Sequence, residues 1–144
     1  MTTRTIAVSL LAALAMACVA DQIRESHVDG NVPSSGDVDR LLQRDLNAFF
    51  AGRLPAGGNV RYEFLRKAPT QTGVAYPKFY LWVWLPAPDG GTLQGAVRIA
   101  AINQQRYEVT DFLSEADIRR DPGRTRRVFP AVVCERIAAR LRLP

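Results

Sequence analysis

Three carboxylates in the middle of the chain are the residues best suited to act as a general acid and base. Glu63, Glu108 and Asp111 lie in segments where apolar and polar residues alternate, which is the period of a half-buried strand. On neighbouring strands, two such carboxyl groups could differ in pKa and divide the acid and base roles between them. Their alternation with Arg61 and Arg106 favours a different interpretation, in which they form exposed cross-strand ion pairs.

The sequence supplies few other groups for catalysis. The only histidine, His27, lies in a polar leader, so the part expected to fold offers no Ser-His-Asp triad and no histidine-based metal site. We therefore predict no enzymatic activity, no cofactor and no metal. If the chain were an enzyme, it would depend on Asp111 or Glu108 with a pKa raised by desolvation.

An apolar segment at residues 79–85 holds the aromatic side chains that could bind a ligand or partner. Tyr80, Trp82 and Trp84 alternate with other apolar residues, so both faces of the predicted strand are apolar. Either the final helix covers the aromatic face, or the three aromatic side chains line a concave pocket or a partner surface. The first interpretation is favoured because that helix needs a surface on which to bury its own apolar stripe.

The spacing of apolar residues predicts the elements that position these side chains. Val38, Leu42 and Leu46 recur at helical spacing in the first helix, within residues 36–54. Alternating or apolar segments predict strands near residues 60–64, 78–85, 93–102 and 106–113, and a final helix near residues 130–141. The connections between the strands are short, which is typical of an antiparallel meander.

Capping patterns refine the helix ends. Ser34 with Asp37, and Ser114 with Asp117, are each spaced as in a capping box, and residues 121–123 are predicted to end the short helical turn that follows Ser114. We predict an α+β fold in one domain, residues 36–144, with an N-terminal helix packed on the sheet and a C-terminal helix closing it. Residues 21–35 are predicted to be a flexible leader or tether.

In element order the chain resembles the cystatin and NTF2-like folds, in which a curved antiparallel sheet wraps a helix. The resemblance is to the architecture alone. Residues 71–75 do not follow the Gln-x-Val-x-Gly order of the first cystatin binding loop, and Trp82 and Trp84 stand inside a strand and not in a second loop. The resemblance therefore implies a fold and, for an NTF2-like cone, a small-ligand cavity against the aromatic strand.

The beginning of the chain has the composition of an export signal. Arg4 precedes an uncharged apolar run at residues 5–17, and small residues precede both Cys18 and Asp21. We predict a signal peptide within residues 1–20, cut before one of those two residues. The mature protein is then expected outside the cytoplasm.

Residues 14–18 resemble the lipobox of bacterial lipoproteins, with Ala17 and Cys18 in matching positions. The resemblance implies that Cys18 is acylated and anchors the protein to a membrane. Because Val19 follows the cysteine where an inner-membrane lipoprotein carries Asp, the implied destination is the outer membrane. Cleavage before Asp21 would instead remove Cys18 and give a periplasmic or secreted protein.

The second cysteine, Cys134, has no expected disulfide partner, because Cys18 is either removed or acylated. Its setting among Val132, Val133 and Ile137 predicts a buried small hydrophobe, not a nucleophile.

Arginine is concentrated at the C-terminal end of the chain. The net charge is +5 over 144 residues, and eight arginines stand from residue 119 onward against Asp121 and Glu135 alone. Those singled out as candidate contacts are Arg119, Arg120, Arg124, Arg126 and Arg127. Outside the cytoplasm such a surface would meet anionic lipid headgroups, lipopolysaccharide phosphates or an acidic protein, and not nucleic acid. The alternative interpretation is a solvated helix face without a ligand.

Together these features predict an exported envelope binding or accessory module without catalytic activity. It would contact an envelope protein or an anionic envelope component through the arginines or the aromatic strand. The alternative is a periplasmic or secreted small-ligand-binding protein with an aromatic pocket at Tyr80, Trp82 and Trp84.

Overall fold

The computed structural model describes residues 30–72 and 75–143; the predicted signal peptide, Cys18 and His27 lie outside these residues. In the described part, helix α1 (Val38–Phe50) and a 3-10 turn (Ala51–Arg53) precede the sheet. The strands are β1 (Arg61–Phe64), β2 (Lys78–Pro86), β3 (Thr92–Asn103) and β4 (Arg106–Ser114). The helices that follow are α2 (Glu115–Arg120), α3 (Pro122–Val128) and α4 (Ala131–Leu141).

The strands form one antiparallel sheet in the order β1-β2-β3-β4, so each strand pairs with the next along the chain. Tyr62 lies opposite Val83, and Leu81 lies opposite Val97. The turn between β2 and β3 places Gly90 at a φ of +84°, a conformation that glycine adopts without a Cβ clash. The predicted α+β fold with a four-stranded meander between an N-terminal helix and C-terminal helices is confirmed.

Helix α1 covers one face of the sheet with its apolar stripe. Leu42, Leu46 and Phe50 repeat every four residues and are buried against the aliphatic face of β2, which includes Leu81 and Val83. Burying stripe and sheet face together removes apolar surface from water and forms the first core. The described end of the predicted leader contributes as well. Its Val32 packs against this core, and Pro33 is buried.

Polar contacts fix α1 on the edge strand β4. The Asp45 carboxylate accepts a hydrogen bond from the backbone N–H of Tyr107 at 2.7 Å, and the Arg44 guanidinium donates to the carbonyl of Gln105 at 2.7 Å. These side chains satisfy backbone groups that the sheet leaves unpaired.

Helices α2, α3 and α4, called here the helical layer, cover the opposite face of the sheet. Ile118, Phe129, Val133, Ile137 and Leu141 are buried there. They pack in a second core that includes Leu65, Tyr80, Trp82, Ala96 and Leu113. The sheet is therefore covered on both faces, which explains why β2 lacks a polar face.

A β-bulge at Thr110 changes which side chains of β4 face each core. Arg98 pairs with Asp111, but the next pair joins Ile99 to Val109, so Thr110 has no opposite residue. Val109 faces the α1 core and, because of the extra residue, Phe112 faces it too. The bulge thereby turns the side chain after Phe112 toward the helical layer.

Helix α3 was not predicted from the sequence. Residues 121–123 were interpreted as the end of a helical turn, whereas Asp121 is the N-cap of a new helix with Pro122 in its first turn. The Asp121 carboxylate accepts a hydrogen bond from the backbone N–H of Arg124 at 2.8 Å. Proline is favoured in the first turn of a helix because its missing N–H has no intrahelical partner there.

Of the two predicted capping boxes, one forms. The Ser114 side chain accepts from the Asp117 backbone N–H, and the Asp117 side chain accepts from the Ser114 backbone N–H, at the start of α2. The box at Ser34 is wrong, because the backbone N–H of Asp37 donates to the Ser34 carbonyl and α1 has no side-chain cap. That serine hydroxyl instead donates to the Asp37 carboxylate at 2.8 Å.

Candidate functional site

The aromatic face of β2 lies beneath the helical layer. Tyr80 is 4% exposed and Trp82 is 0% exposed. The Tyr80 hydroxyl lies 2.5 Å from Oγ1 of Thr70, and the Trp82 indole N–H donates to Gln94 Oε1 at 3.3 Å, so both polar atoms have partners within the fold. The structure corrects the pocket interpretation for these two residues, which are core residues and do not line an open cavity.

Trp84 is only half buried, and two arginines cover its ring. The Arg140 guanidinium lies 5.3 Å from the ring centroids of both Trp82 and Trp84, and the Arg61 guanidinium lies 5.7 Å from Trp84. Arg140 also forms an ion pair with Glu63 on the edge strand. This cluster attaches α4 to the sheet through cation–π contacts and leaves Trp84 little free surface for a ligand.

The three candidate carboxylates do not form an acid–base pair. Glu63 lies on β1 and Asp111 on β4, at opposite edges of the sheet, so the idea that they occupy neighbouring strands is wrong. Asp111 pairs with Arg98 at 2.6 Å, and Glu108 lies 3.6 Å from Arg106 on its own strand. Ion pairs form as expected, but only the pair of Asp111 joins two strands, and Glu63 and Asp111 have partners other than those predicted.

The helical layer contains an open groove of about 610 Å³, called here the helical groove. Its apolar lining residues include Ile118, Pro122, Phe129, Ile137, Ala138 and Leu143. The volume lies in the range of small-molecule sites, and the apolar walls are typical of them. The groove combines these apolar walls with charged groups.

Small residues on α4 create this space. Val133, Ile137 and Leu141 face the sheet and are buried, while Ala131, Cys134 and Ala138 follow at a spacing of three and four residues and line the groove. These three residues form a second stripe on α4, and their short side chains leave a gap toward α2 and α3.

The end of α4 closes the groove on one side. Arg142 adopts the left-handed conformation, with a φ of 51°, and turns the chain back so that the backbone N–H of Leu143 donates to the Ala138 carbonyl at 2.9 Å. This turn places the Leu143 side chain in the lining of the groove.

Cys134 contributes an uncharged thiol to the groove. Its Sγ donates to the Phe129 carbonyl at 3.3 Å, and burial raises the pKa of the thiol above its usual value. The thiol therefore stays protonated at neutral pH and is a poor nucleophile. The sequence predicted a buried small hydrophobe, whereas the Cys134 side chain is only partly buried because it lines the open groove.

Charged side chains stand beside the apolar walls. Arg119, Arg126 and Glu135 line the groove. The Arg119 guanidinium is held by Glu115 at 2.7 Å and also donates to the Leu141 carbonyl at 3.2 Å. Arg126 is exposed and forms no ion pair with any described residue. Its charge is thus available to a ligand.

The other candidate arginines lie in the helical layer but outside the groove lining. Arg120 pairs with Asp117 at 2.5 Å, and Arg127 lies 3.6 Å from Asp121. Arg124 is exposed and, like Arg126, pairs with no carboxylate in the described residues. The structure therefore divides the five candidates into three paired and two unpaired guanidinium groups.

The sequence identified the two arginines of the groove lining but not its apolar walls. Arg119 and Arg126 were selected for their charge, whereas the apolar stripe of the final helix was expected to be buried against the sheet. The available signal was the second stripe of α4, in which the small residues Ala131, Cys134 and Ala138 recur at helical spacing.

No helix in residues 30–72 and 75–143 combines the length and the hydrophobicity that crossing a bilayer requires. Likewise, no group of three or more His, Cys, Asp or Glu side chains among these residues is placed to hold a metal ion. Comparisons with protein-family models, curated proteins and solved structures find no match to this chain. The resemblance to cystatin and NTF2-like folds therefore remains a prediction from element order.

Proposed function

We propose that this protein is a non-enzymatic binding module of the bacterial cell envelope that holds an anionic envelope component through its helical layer. The observation that carries the proposal is the pair of exposed, unpaired arginines on α3, Arg124 and Arg126, one of which lines the apolar helical groove. Cationic side chains beside an apolar surface suit a lipid interface, where headgroup charge and hydrocarbon occur together.

The charges of the helical layer support this proposal. Between residues 115 and 141 the chain carries seven arginines and four carboxylates. Three of those carboxylates, on Glu115, Asp117 and Asp121, are already bound to arginines of the layer. Two unpaired guanidinium groups on one short helix create a local positive potential that attracts anions.

An apolar side chain in the same layer adds to the interface. Val132 on α4 is 52% exposed and is one of three large apolar side chains with such exposure in the described residues. It directly follows Ala131 of the groove lining. An exposed valine in the layer that carries the unpaired arginines can enter the headgroup region and add apolar burial to the electrostatic attraction.

The non-enzymatic part of the proposal is supported by the state of the candidate acids. Glu63, Glu108 and Asp111 each lie within ion-pair distance of an arginine, and they are distributed over both edges of the sheet. An acid and a base must both reach the same substrate, and Glu63 lies on the opposite edge of the sheet from Glu108 and Asp111. Asp111→Asn is therefore expected to leave the binding function intact.

Binding to vesicles tests the proposal. Sedimentation with phosphatidylcholine vesicles, with and without phosphatidylglycerol, should show binding to the anionic vesicles that weakens as salt is raised, because exposed charges are screened. Replacing Arg124, Arg126 and Arg127 with Gln should weaken that binding about a hundredfold, since a basic residue near an anionic surface contributes about 1 kcal/mol.

A control variant with the same net charge tests whether the position of the replaced arginines matters for binding. Replacing Arg40, Arg53 and Arg106 with Gln removes the same charge from α1, the 3-10 turn and β4, and should leave vesicle binding nearly unchanged. Equal losses in the two triple variants, or no binding by the wild type, would contradict the proposal. If the wild type bound an acidic protein but no vesicles, the partner would be a protein and not a lipid surface.

Export and anchoring are part of the proposal and rest on the residues up to Cys18. An acylated Cys18 would hold the domain at a membrane and raise its effective concentration there. The intact mass of the mature protein from membrane and soluble fractions tests this directly. A membrane species that begins at Cys18 and carries acyl chains supports the anchor, whereas a soluble, unmodified species contradicts it and favours a periplasmic or secreted protein.

A further inference from the structure

We infer that the helical groove binds the acyl chain of a single-chain anionic lipid, and that the anionic headgroup of this lipid lies at Arg126. This inference rests on the proposed function and deepens it, because it assigns the apolar part of an anionic envelope lipid to a specific cavity. It also distinguishes a ligand held as a monomer from a bilayer surface held by charge alone.

The groove has the form required for a chain. Phe129 and Ile137 are buried at its base, at 3% and 1% exposure, and Leu143 folds back over its end. The space of about 610 Å³ is open along one side, so a chain can enter without displacing a helix. Each methylene removed from water against these walls adds favourable apolar burial, so a ligand with a long apolar part is favoured.

Arg126 is placed to bind the anionic end of the ligand. Its guanidinium carries a charge that no described carboxylate neutralises, and it lies at the groove while the equally unpaired Arg124 does not. A planar guanidinium with several N–H donors can bind a phosphate or carboxylate through two hydrogen bonds. One unpaired cation beside one apolar groove therefore matches an amphiphile with a single charged end.

Glu135 allows the sign of the ligand's charge to be tested. It also lines the groove and forms no ion pair with a described residue, so its carboxylate opposes an anionic ligand. Glu135→Gln should therefore strengthen binding of an anionic amphiphile. Weaker binding of the anionic amphiphile by Glu135→Gln would overturn the assignment of the headgroup.

Titration calorimetry with dodecyl phosphate, below its critical micelle concentration, tests the inference on the full mature chain. Dodecyl phosphate should bind, while ethyl phosphate, which lacks the chain, should not. Dodecyl maltoside, which lacks the charge, should bind at least about tenfold more weakly, because it cannot form the charge-assisted hydrogen bonds to Arg126.

Two pairs of variants locate the ligand. Arg126→Gln should weaken dodecyl phosphate binding about tenfold, whereas Arg124→Gln, which removes the same charge from the same helix, should change it less than about twofold. Ala138→Leu fills the groove and should weaken binding at least about tenfold. Ala131→Leu, at the exposed start of α4, is a second filling variant in case Ala138→Leu alters the circular dichroism of the folded protein.

Vesicle binding by the same variants separates this inference from the proposed function. Ala138→Leu should lose dodecyl phosphate but keep salt-dependent binding to phosphatidylglycerol vesicles, which depends on the arginines. Equal affinity of the wild type and both filling variants for dodecyl phosphate would overturn the groove assignment and leave the surface function standing. Absence of vesicle binding by a wild type that still binds dodecyl phosphate would overturn the surface function and retain the groove.

Discussion

The guanidinium of Arg140 lies 5.3 Å from the ring centroid of Trp82, an indole with no exposed surface. Arg140 belongs to the last turns of α4, whereas Trp82 lies in the middle of β2, so this contact joins the helical layer to the sheet. The aromatic face of β2 is therefore part of the core beneath the helical layer.

Trp82→Ala should destabilise the protein by about 3–5 kcal/mol, because it removes a fully buried ring and leaves a cavity. Urea unfolding followed by circular dichroism measures the change in the free energy of unfolding. Trp84→Ala is the matched control, since that ring is only half buried, and it should cost less. Near-wild-type stability of Trp82→Ala would contradict the core assignment and return this residue to the list of binding candidates.

Gly95→Ala should destabilise the sheet by about 2–3 kcal/mol through overpacking. A Cβ at this position would overlap the carbonyl oxygen of Leu113 and lie 2.8 Å from the Cα of Ser114, so β3 and β4 would have to move apart. Gly52→Ala is the control, because nothing lies within 4 Å of the Cβ it adds. Thermal unfolding should separate the two variants, and equal melting temperatures would contradict the close approach of these strands.

Removal of the hydroxyl should change the stability of the protein differently at two tyrosines. The Tyr107 hydroxyl is buried and has no hydrogen-bond partner in the described structure, so Tyr107→Phe should leave stability unchanged or raise it by about 1 kcal/mol. The Tyr62 hydroxyl donates to Asp39 at 2.6 Å, so Tyr62→Phe should lower stability by about 1 kcal/mol. Urea midpoints check both values, and a clear loss in Tyr107→Phe would reveal a missing partner.

Alkaline pH should destabilise the protein through the same residues. Burial, followed by the nearby charges of Asp39 and Asp45, raises the pKa of Tyr107 to about 12. The unfolded chain, with an ordinary tyrosine pKa of about 10, loses its proton first, so stability is full below about pH 10 and falls as pH rises toward 12. Tyr107→Phe should show a shallower decline between these values; an unchanged slope would contradict the buried hydroxyl.

Ser114→Ala should lower stability by about 1 kcal/mol, because it removes the cap of α2 and with it one hydrogen bond of the capping box. The Ser114 hydrogen bond is the main cause that lowers the pKa of Asp117. A lowered carboxyl pKa stabilises the fold above about pH 4 and loses that effect in acid. The difference from wild type should therefore shrink below pH 4, while Ser35→Ala, at an exposed position, should match wild type throughout.

The fold could be predicted because its apolar pattern is regular. Leu42 and Leu46 repeat at helical spacing, and the strand patterns alternate or are fully apolar between clear turn signals. The strands extend only a residue or so from the predicted bounds, since Gly90 and the neighbouring turn residues fix where β2 and β3 separate. Such local signals predict the elements correctly because the tertiary packing favours the same elements.

The candidate site could be predicted only in part. Arg126 was selected because charge is visible in a sequence, but the absence of an ion-pair partner depends on how α2, α3 and α4 pack. The missed helix α3 shows the same limit, since Asp121 and Pro122 serve equally well to end one helix or to start the next. The groove arises from the gap between elements, and the sequence signals it only through the short side chains of Ala131, Cys134 and Ala138 on α4.

Backbone amide chemical shifts, followed while short-chain phosphatidylglycerol is added, report where an anionic lipid contacts the fold and so test binding by the helical layer. We expect the largest shifts in the helical layer and at Leu143, with Arg126 and Val132 among them, and we expect the shifts to diminish when salt is raised. Largest shifts on α1 around the exposed Phe49, or around the half-buried Trp84 of β2, or no shifts at all, would contradict the proposed binding surface.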